Sequence, residues 1–235
     1  MLHSRVRRTA SAALVAALGL LGGASCRHAA APAVDWSPLV GPPQAFNGLY
    51  RVTCCGGRRL TAAIRADGER ISVSVSVRPR GAVFEAWLGP VEAWAAEAPW
   101  SCRWPLDSGR LPLARGASLP LDAALLSVLL AGRLPDGTIA IEGAPDWVTA
   151  PADAGWLRAR VSGSPARLVR VEAGSVGSGP DLTAVLRDHH GPIPGRVAIE
   201  AGGEKLQLEL VEWRPGSGPL PEPAWLAASP CAEGS

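Results

Sequence analysis

Alternating apolar and polar residues account for most of the secondary structure that the sequence predicts. In residues 71–77, β-branched residues alternate with serines, and in residues 206–210 leucines alternate with Gln and Glu. A period of two places the apolar residues on one face of a strand. Residues 60–64, 157–161, 182–186 and 197–199 are weaker examples, and Gly- and Pro-containing turn signals separate the segments. The spacing predicts about ten strands in one antiparallel sheet or barrel.

One segment, residues 121–131, departs from this alternation and predicts a helix. Pro120 suits its start, Asp122 favours its positive N-terminal end, and Gly132 suits the cap after its last turn. Only Asp122 and Ser127 are polar, whereas a surface helix has a wide polar face. We expect the concave side of a curved sheet to enclose this helix. A plain core helix in an α+β domain is an equal alternative.

The first 25 residues predict a signal peptide. Residues 1–8 contain three Arg and no acid, residues 10–24 are apolar or small, and Cys26 follows directly after a Gly-Ala-Ser sequence. The apolar stretch is shorter than the ~20 residues of a membrane-spanning helix. The site resembles a bacterial lipobox, which implies that Cys26 becomes the acylated first residue of the mature protein. A simple secreted protein is the alternative.

After the predicted signal peptide, amino-acid composition divides the chain into three segments. Residues 26–45 are predicted to be the acylated N-terminus and an Ala/Pro-rich tether, in which Trp36 and Leu39 could still dock onto the domain. Residues 46–215 contain the strands and the helix, and residues 216–235 form a Pro-rich tail. No later segment approaches transmembrane length, so we expect a soluble domain that is held at the membrane through lipid.

Charge and motif content narrow the class of function. The chain has 23 Lys+Arg and 21 Asp+Glu, a net charge of +2, which lacks the basic excess typical of a nucleic-acid binder. GxSxG, HExxH and P-loop motifs are absent, and Asp188-His189-His190 lies in a predicted turn without a partner signal. We therefore predict that the protein is not an enzyme. We expect no metal and no cofactor other than the covalent lipid on Cys26.

The order of the elements resembles the bacterial outer-membrane lipoprotein receptors, the LolB-like branch of the Lol lipoprotein-carrier family. The resemblance covers residues 46–215. It rests on the Trp-Leu-Gly-Pro-Val sequence at 87–91, on the Leu-rich helix that ends in the sequence 129–135, and on the sequence 194–213. It implies an unclosed antiparallel β-barrel with a helical lid over an apolar cavity. In that family the cavity takes the acyl chains of other lipoproteins, with a periplasmic lipoprotein carrier as partner.

The resemblance and the apolar strand faces together suggest specific residues. The cavity would be lined by two strand faces and the lid, although ordinary core packing is the alternative for each residue: Val73, Val75, Val77, Leu125, Leu129, Leu208 and Leu210. Val91 occupies the place of a protruding apolar residue in the receptor turn, and Trp87 and Trp94 lie nearby as further membrane-facing candidates. Arg27, rather than Asp, follows Cys26, which resembles the sorting signal for the periplasmic face of the outer membrane. The alternative function is a structural, envelope-assembly or sensor lipoprotein on the same fold, with a packed interior.

Four cysteines follow Cys26, and export would allow them to form disulfides. Adjacent Cys54 and Cys55 point to opposite sides of a strand, so they should have different partners. We expect one of them to pair with Cys102 and the other with Cys231, and the bridge between Cys54 and Cys55 is the least favoured of the three connectivities. Their spacing matches no zinc pattern.

Overall fold

The structure is a computed structural model. It describes residues 34–54, 57–77, 79–90, 92–106, 110–112, 118–120, 123–152 and 155–231. The predicted signal peptide, the predicted lipidation site Cys26, Cys55, Val91 and the first two residues of the predicted helix lie outside these ranges.

The described residues form a predominantly β fold with one α-helix, α1 (Ala123–Ala131). Short 3-10 helices lie at Ser37–Leu39 and Ala224–Ala227. The strands are β1 (Phe46–Cys54), β2 (Arg58–Ala66), β3 (Ile71–Val77), β4 (Gly81–Leu88), β5 (Ala93–Glu97), β6 (Trp104–Pro105), β7 (Arg110–Pro112), β8 (Ser118–Pro120), β9 (Ile139–Ile141), β10 (Ala144–Ala150), β11 (Trp156–Ser162), β12 (Arg167–Gly174), β13 (Leu182–Arg187), β14 (Arg196–Ala201) and β15 (Glu204–Pro215).

Thirteen of these strands form one antiparallel sheet with the order β6-β5-β4-β3-β2-β1-β15-β14-β13-β12-β11-β10-β9. β1 and β15, the first and last strands along the chain, are neighbours at the centre of the sheet. From this β1–β15 seam one meander runs outward to β6 and the other to β9. The two edge strands do not pair with each other, so the sheet is unclosed. The predicted fold class is therefore confirmed.

The sheet curves around a core built from its inward-facing residues. In β3 the predicted alternation holds, because Ile71 and Val73 are buried while the serines are more exposed. The same alternation runs through β11, β13 and β14. The largest fully buried side chains come from both meanders, α1 and the residues that follow it: Phe46, Tyr50, Val128, Leu129, Leu130, Leu134, Val148, Val161, Leu168, Val171 and Leu182.

The described part of the predicted tether is docked onto the domain. Leu39 is buried in the main core, and its carbonyl accepts a 2.9 Å hydrogen bond from the Leu134 backbone N–H. The Gly41 N–H donates to the Leu134 carbonyl at 3.0 Å, which completes a short parallel bridge. Where the structure describes it, this segment is therefore part of the domain and not a free spacer.

The predicted C-terminal tail also packs on the domain. We call residues 216–231 the C-terminal strap. Trp225 is buried against Trp87 and Ala96 in an apolar cluster separate from the main core, and its Nε1 donates to Glu85 at 2.5 Å. The Leu220 N–H donates to the Asp67 carboxylate at 3.0 Å. The strap thus covers the face of β4 and β5 opposite the main core.

A disulfide between Cys102 and Cys231, with Cα atoms 4.9 Å apart, fixes the far end of the strap. Because Cys102 and Cys231 are bonded to each other, both predicted bridges, in which each of them pairs with Cys54 or Cys55, are wrong. Cys54 ends β1, whereas Cys102 follows β5, four positions away in the sheet. Strands are spaced ~4.8 Å apart, so this separation far exceeds the ~7 Å over which two Cα atoms can be bridged.

Candidate functional site

Helix α1 lies in the chain segment that connects the two free edges of the sheet. β6 and β9 are at opposite ends of the strand order, and β7, β8 and α1 lie between them in sequence. The segment therefore has to pass from one edge of the curved sheet to the other. This topology brings the apolar helix to the inner side, where both meanders contribute core residues.

The helix is enclosed on every side. Its described side chains, residues 125–131, are between 0 and 6% exposed. Among them only Ser127 is polar, so both the sheet-facing and the opposite surface of the helix pack against apolar groups. The sequence predicted that the concave side of the sheet encloses the helix. In the structure, side chains of the sheet and of the helix fill the space around α1.

The end of α1 fits closely against the β13–β14 connection. Gly132 has a φ of +64°, and a Cβ at this position would lie 2.1 Å from the Pro192 carbonyl oxygen. Glycine therefore satisfies both the left-handed backbone and the close contact. Together with the parallel bridge between Val40 and Leu134, this contact sets where the helix ends.

Most of the predicted cavity residues meet in the main core. Val73, Leu125, Leu129 and Leu208 are buried in one apolar cluster, and Val75 and Leu210 are half-buried against it. Val77, at the end of β3, is half-buried but is not among the residues of this cluster. The structure thus brings six of the seven residues into or against one packed core, to which residues of α1 also belong.

The predicted membrane-facing residues have a different environment. Trp87 is buried beneath Trp225 of the strap, so it does not face solvent. Trp94 is half-buried, and the Arg103 guanidinium lies 4.0 Å from the centre of its ring. The sequence interpretation missed this because a Pro-rich tail without periodicity gave no sign that it would pack there. Val91 lies outside the described residues.

Two buried hydroxyl groups in the core were not singled out by the sequence. Tyr50 is 1% exposed, and its burial raises the pKa of the phenol well above the usual range, so it stays a neutral donor. Its ring lies over Gly48, where a Cβ would come within 2.4 Å of Cε2. Within the described chain, neither Tyr50 Oη nor Ser127 Oγ has a hydrogen-bond partner. Tyr50 is the only Tyr of the chain, at an inward position of β1.

A pocket of about 460 Å³ lies elsewhere, and none of the predicted cavity residues lines it. It runs along one end of β1 and β13–β15, and many of its residues are exposed or half-buried on their strands. Its lining is Thr53, Cys54, Gly57, Thr183, Val185, Ala198, Ile199, Glu200, Lys205, Leu206 and Gln207. It is thus separate from the space around α1.

His189, in the middle of the Asp188-His189-His190 triplet, is half-buried and contacts the backbone of β12. His189 Nε2 lies 2.7 Å from the Leu168 carbonyl, and burial lowers the pKa of this imidazole. Among the described residues, no three His, Cys, Asp or Glu side chains are grouped so that they could hold a metal ion.

The fold is similar to solved structures of the LolA superfamily. A LolA superfamily protein from Nitrosomonas europaea has a TM-score of 0.50 and 15% identity, over 77% of this chain and 90% of that one. A putative outer membrane lipoprotein-sorting protein domain from Vibrio parahaemolyticus has a TM-score of 0.51 and 7% identity, over 78% and 90%. At these identities the likeness shows a shared fold.

No protein-family model and no curated protein sequence matches the chain. None of the helices in the described residues has the length and apolar character needed to cross a membrane.

Proposed function

We propose that this protein is a lipid-anchored, LolB-like envelope lipoprotein. It binds the acyl chains of other lipoproteins between α1 and the inner face of the sheet, and helps to deliver them to the outer membrane. The anchor is a lipid on Cys26, which holds the domain on the periplasmic face. The partners are a periplasmic lipoprotein carrier, the acyl chains and the membrane, and the protein performs no catalysis.

The observation that carries this proposal is the apolar character of α1 on every side, within an unclosed sheet. Apolar contacts have no fixed direction, so an acyl chain can replace those between α1 and the sheet. Burying one sixteen-carbon chain gains roughly 12 kcal/mol at ~0.8 kcal/mol per methylene. The helix gives up apolar contacts in exchange, which keeps net binding modest and permits release. The fold shared with LolA superfamily structures supports the same function.

The closed packing of α1 favours a second candidate, a structural or envelope-assembly lipoprotein that carries nothing. The described helix side chains are at most 6% exposed, and the described pocket lies away from them. In that case α1 is a permanent core element, and its apolar surface serves stability alone.

Leu129→Glu separates the two candidates. If α1 opens as a lid, the charged variant stays folded with the helix displaced, and binding of a fluorescent sixteen-carbon acyl probe falls at least tenfold. If α1 is permanent core, burying an unpaired carboxylate costs about 3–5 kcal/mol and the domain unfolds. Probe titration and the thermal midpoint are measured together.

Val211→Glu is the matched control, because Val211 is 52% exposed on β15 and should tolerate the charge. A wild-type protein that binds no acyl probe, together with a Leu129→Glu variant that unfolds, contradicts the carrier function. The anchor is tested separately, since Cys26→Ser should move the protein out of the membrane fraction.

A further inference from the structure

Two hydroxyl groups in the core lack the partners that buried polar groups normally have. Seven side-chain N or O atoms of the described residues are buried without a hydrogen bond. Five of them belong to half-buried Trp and Arg residues. The two that belong to fully buried residues are Tyr50 Oη and Ser127 Oγ, with residue exposures of 1% and 6%. The orphaned hydroxyls are thus confined to the inner strand face and to α1.

Leaving these hydroxyls unpaired costs stability, because each loses its hydrogen bonds to water on burial. Ser127 also does not make the bond to the carbonyl four residues earlier that a helical serine commonly makes. Phe at position 50 and Ala at position 127 would fill nearly the same space without this cost. Stability of the closed domain therefore does not explain the two hydroxyls.

The burial of Tyr50 keeps its hydroxyl group able to donate a hydrogen bond. Its raised pKa means that the phenol remains protonated throughout the physiological range, since burial disfavours the phenolate. The ring is seated over Gly48, where any side chain would collide with it. Gly48 thus permits a fixed ring position on an otherwise apolar strand face.

We propose that Tyr50 and Ser127 bind the carbonyl group of the acyl ligand, so that the site recognises an acyl ester or amide and not merely a hydrocarbon chain. This rests on the proposed acyl-binding function. Tyr50 belongs to the main core on the inner face of the sheet, and Ser127 lies on α1 between the core residues Leu126 and Val128. In this proposal both hydroxyls face the space that forms when α1 separates from the sheet. The apolar residues then supply most of the affinity, while the hydroxyls select for the carbonyl at the head of the chain.

The test compares two ligands with the same number of carbon atoms, of which only one has an ester group and hence a carbonyl. Methyl palmitate and heptadecane each compete with a fluorescent alkyl probe on the wild-type protein and on Tyr50→Phe. Losing one buried neutral hydrogen bond should weaken methyl palmitate about fivefold in Tyr50→Phe and leave heptadecane unchanged. The thermal midpoint should stay equal or rise, because an unpaired buried hydroxyl is removed.

Ser127→Ala should give the same selective loss, and the double variant should abolish the preference for the ester. Ser74→Ala is the control, because the Ser74 hydroxyl bonds to Glu85 on the other face of β3. Equal weakening of both ligands, or no change in either, overturns the role of the hydroxyls while acyl binding stands. If wild type binds neither ligand, the proposed function itself fails and this inference fails with it.

Discussion

The two meanders share one inner face but have very different outer faces. In the first meander, the outer side of β4 and β5 is apolar and lies under the C-terminal strap, with Trp87 and Ala96 against Trp225. In the second, the outer side of β11 and β12 carries the arginines Arg158, Arg160 and Arg170, whose side chains are about half exposed to solvent. The sheet is therefore covered on both sides at β4 and β5, but only on its inner side at β11 and β12.

On the outer face of the second meander, ion pairs are found where the first meander has a covering segment. Glu172 is only 4% exposed and accepts hydrogen bonds from Arg158 at 2.6 Å and Arg170 at 2.7 Å. The Arg158 guanidinium also lies 5.1 Å from the Trp156 ring centre and 5.4 Å from that of Trp147. These long side chains lie over the sheet with their apolar stems while their charged ends reach water.

The difference shows that the outward-facing residues decide how many layers a sheet needs. β11 alternates strictly, with Arg158 and Arg160 outward, and needs no cover. β4 and β5 place buried residues on both faces, as at Ala86 with Trp87 and at Ala95 with Ala96. A face of this kind must be covered, and the strap supplies the cover.

The largest expected effect comes from removing the central residue of the strap. Trp225→Ala should lower the free energy of unfolding by about 3 kcal/mol, because a large buried side chain is lost and Trp87 becomes exposed. Urea denaturation gives the value, and hydrogen exchange should show lost protection in residues 216–231. Trp147→Ala, at a half-buried site in the second meander, should cost about 1 kcal/mol. If both variants lost the same unfolding free energy, the strap would contribute no more to stability than a half-buried side chain on the second meander.

A smaller effect is expected from the buried carboxylate of the second meander. Glu172→Gln keeps the shape but removes the charge that two guanidiniums share. Both arginines are about half exposed and stay hydrated, so we expect a loss of about 1–2 kcal/mol and not the 3–5 kcal/mol of a fully buried pair. Glu209→Gln, at the more exposed pair with Arg51, should change stability by less than ~0.5 kcal/mol. Comparable losses at the two sites would contradict the special role of Glu172.

The smallest effect concerns the acid sensitivity of strap docking. Burial acts to raise the pKa of Asp67, but the N–H groups of Leu220, Arg70 and Glu69 bind its carboxylate, and the pKa is lowered overall. The stabilisation is therefore present above the unfolded value of about 3.9 and is lost as the pH falls through the folded pKa.

The protection factor of the Leu220 amide, which corrects for the intrinsic pH dependence of hydrogen exchange, should thus be lower in wild type at around pH 3 than at pH 6. Asp67→Asn should remove most of this pH dependence. Asp136→Asn, at an exposed position before β9, should leave it intact. A wild-type strap with the same protection at both pH values would show that the Asp67 contact is dispensable.

Local patterns predicted the strands and the helix, whereas long-range packing could not be predicted. The alternation at 71–77 corresponds to β3, and the apolar segment ahead of Gly132 forms α1. The strap and the Cys102–Cys231 bridge depend on contacts between residues more than a hundred positions apart, with no periodicity to mark them. Tyr50 was missed for another reason, since an inward aromatic residue on a strand looks like ordinary core until its unpaired hydroxyl is seen.

The central seam has a consequence for a chain that is made from its N-terminus. β1 can pair with β2 at once, but its other edge must wait for β15, so that Arg51 meets Glu209 across a separation of 158 residues. Until then β1 exposes a nine-residue edge, which is a template for pairing with other chains. The strand at the centre of the finished sheet is thus the one whose edge stays open longest during biogenesis. Protection of the nascent chain from aggregation matters most for residues 46–54.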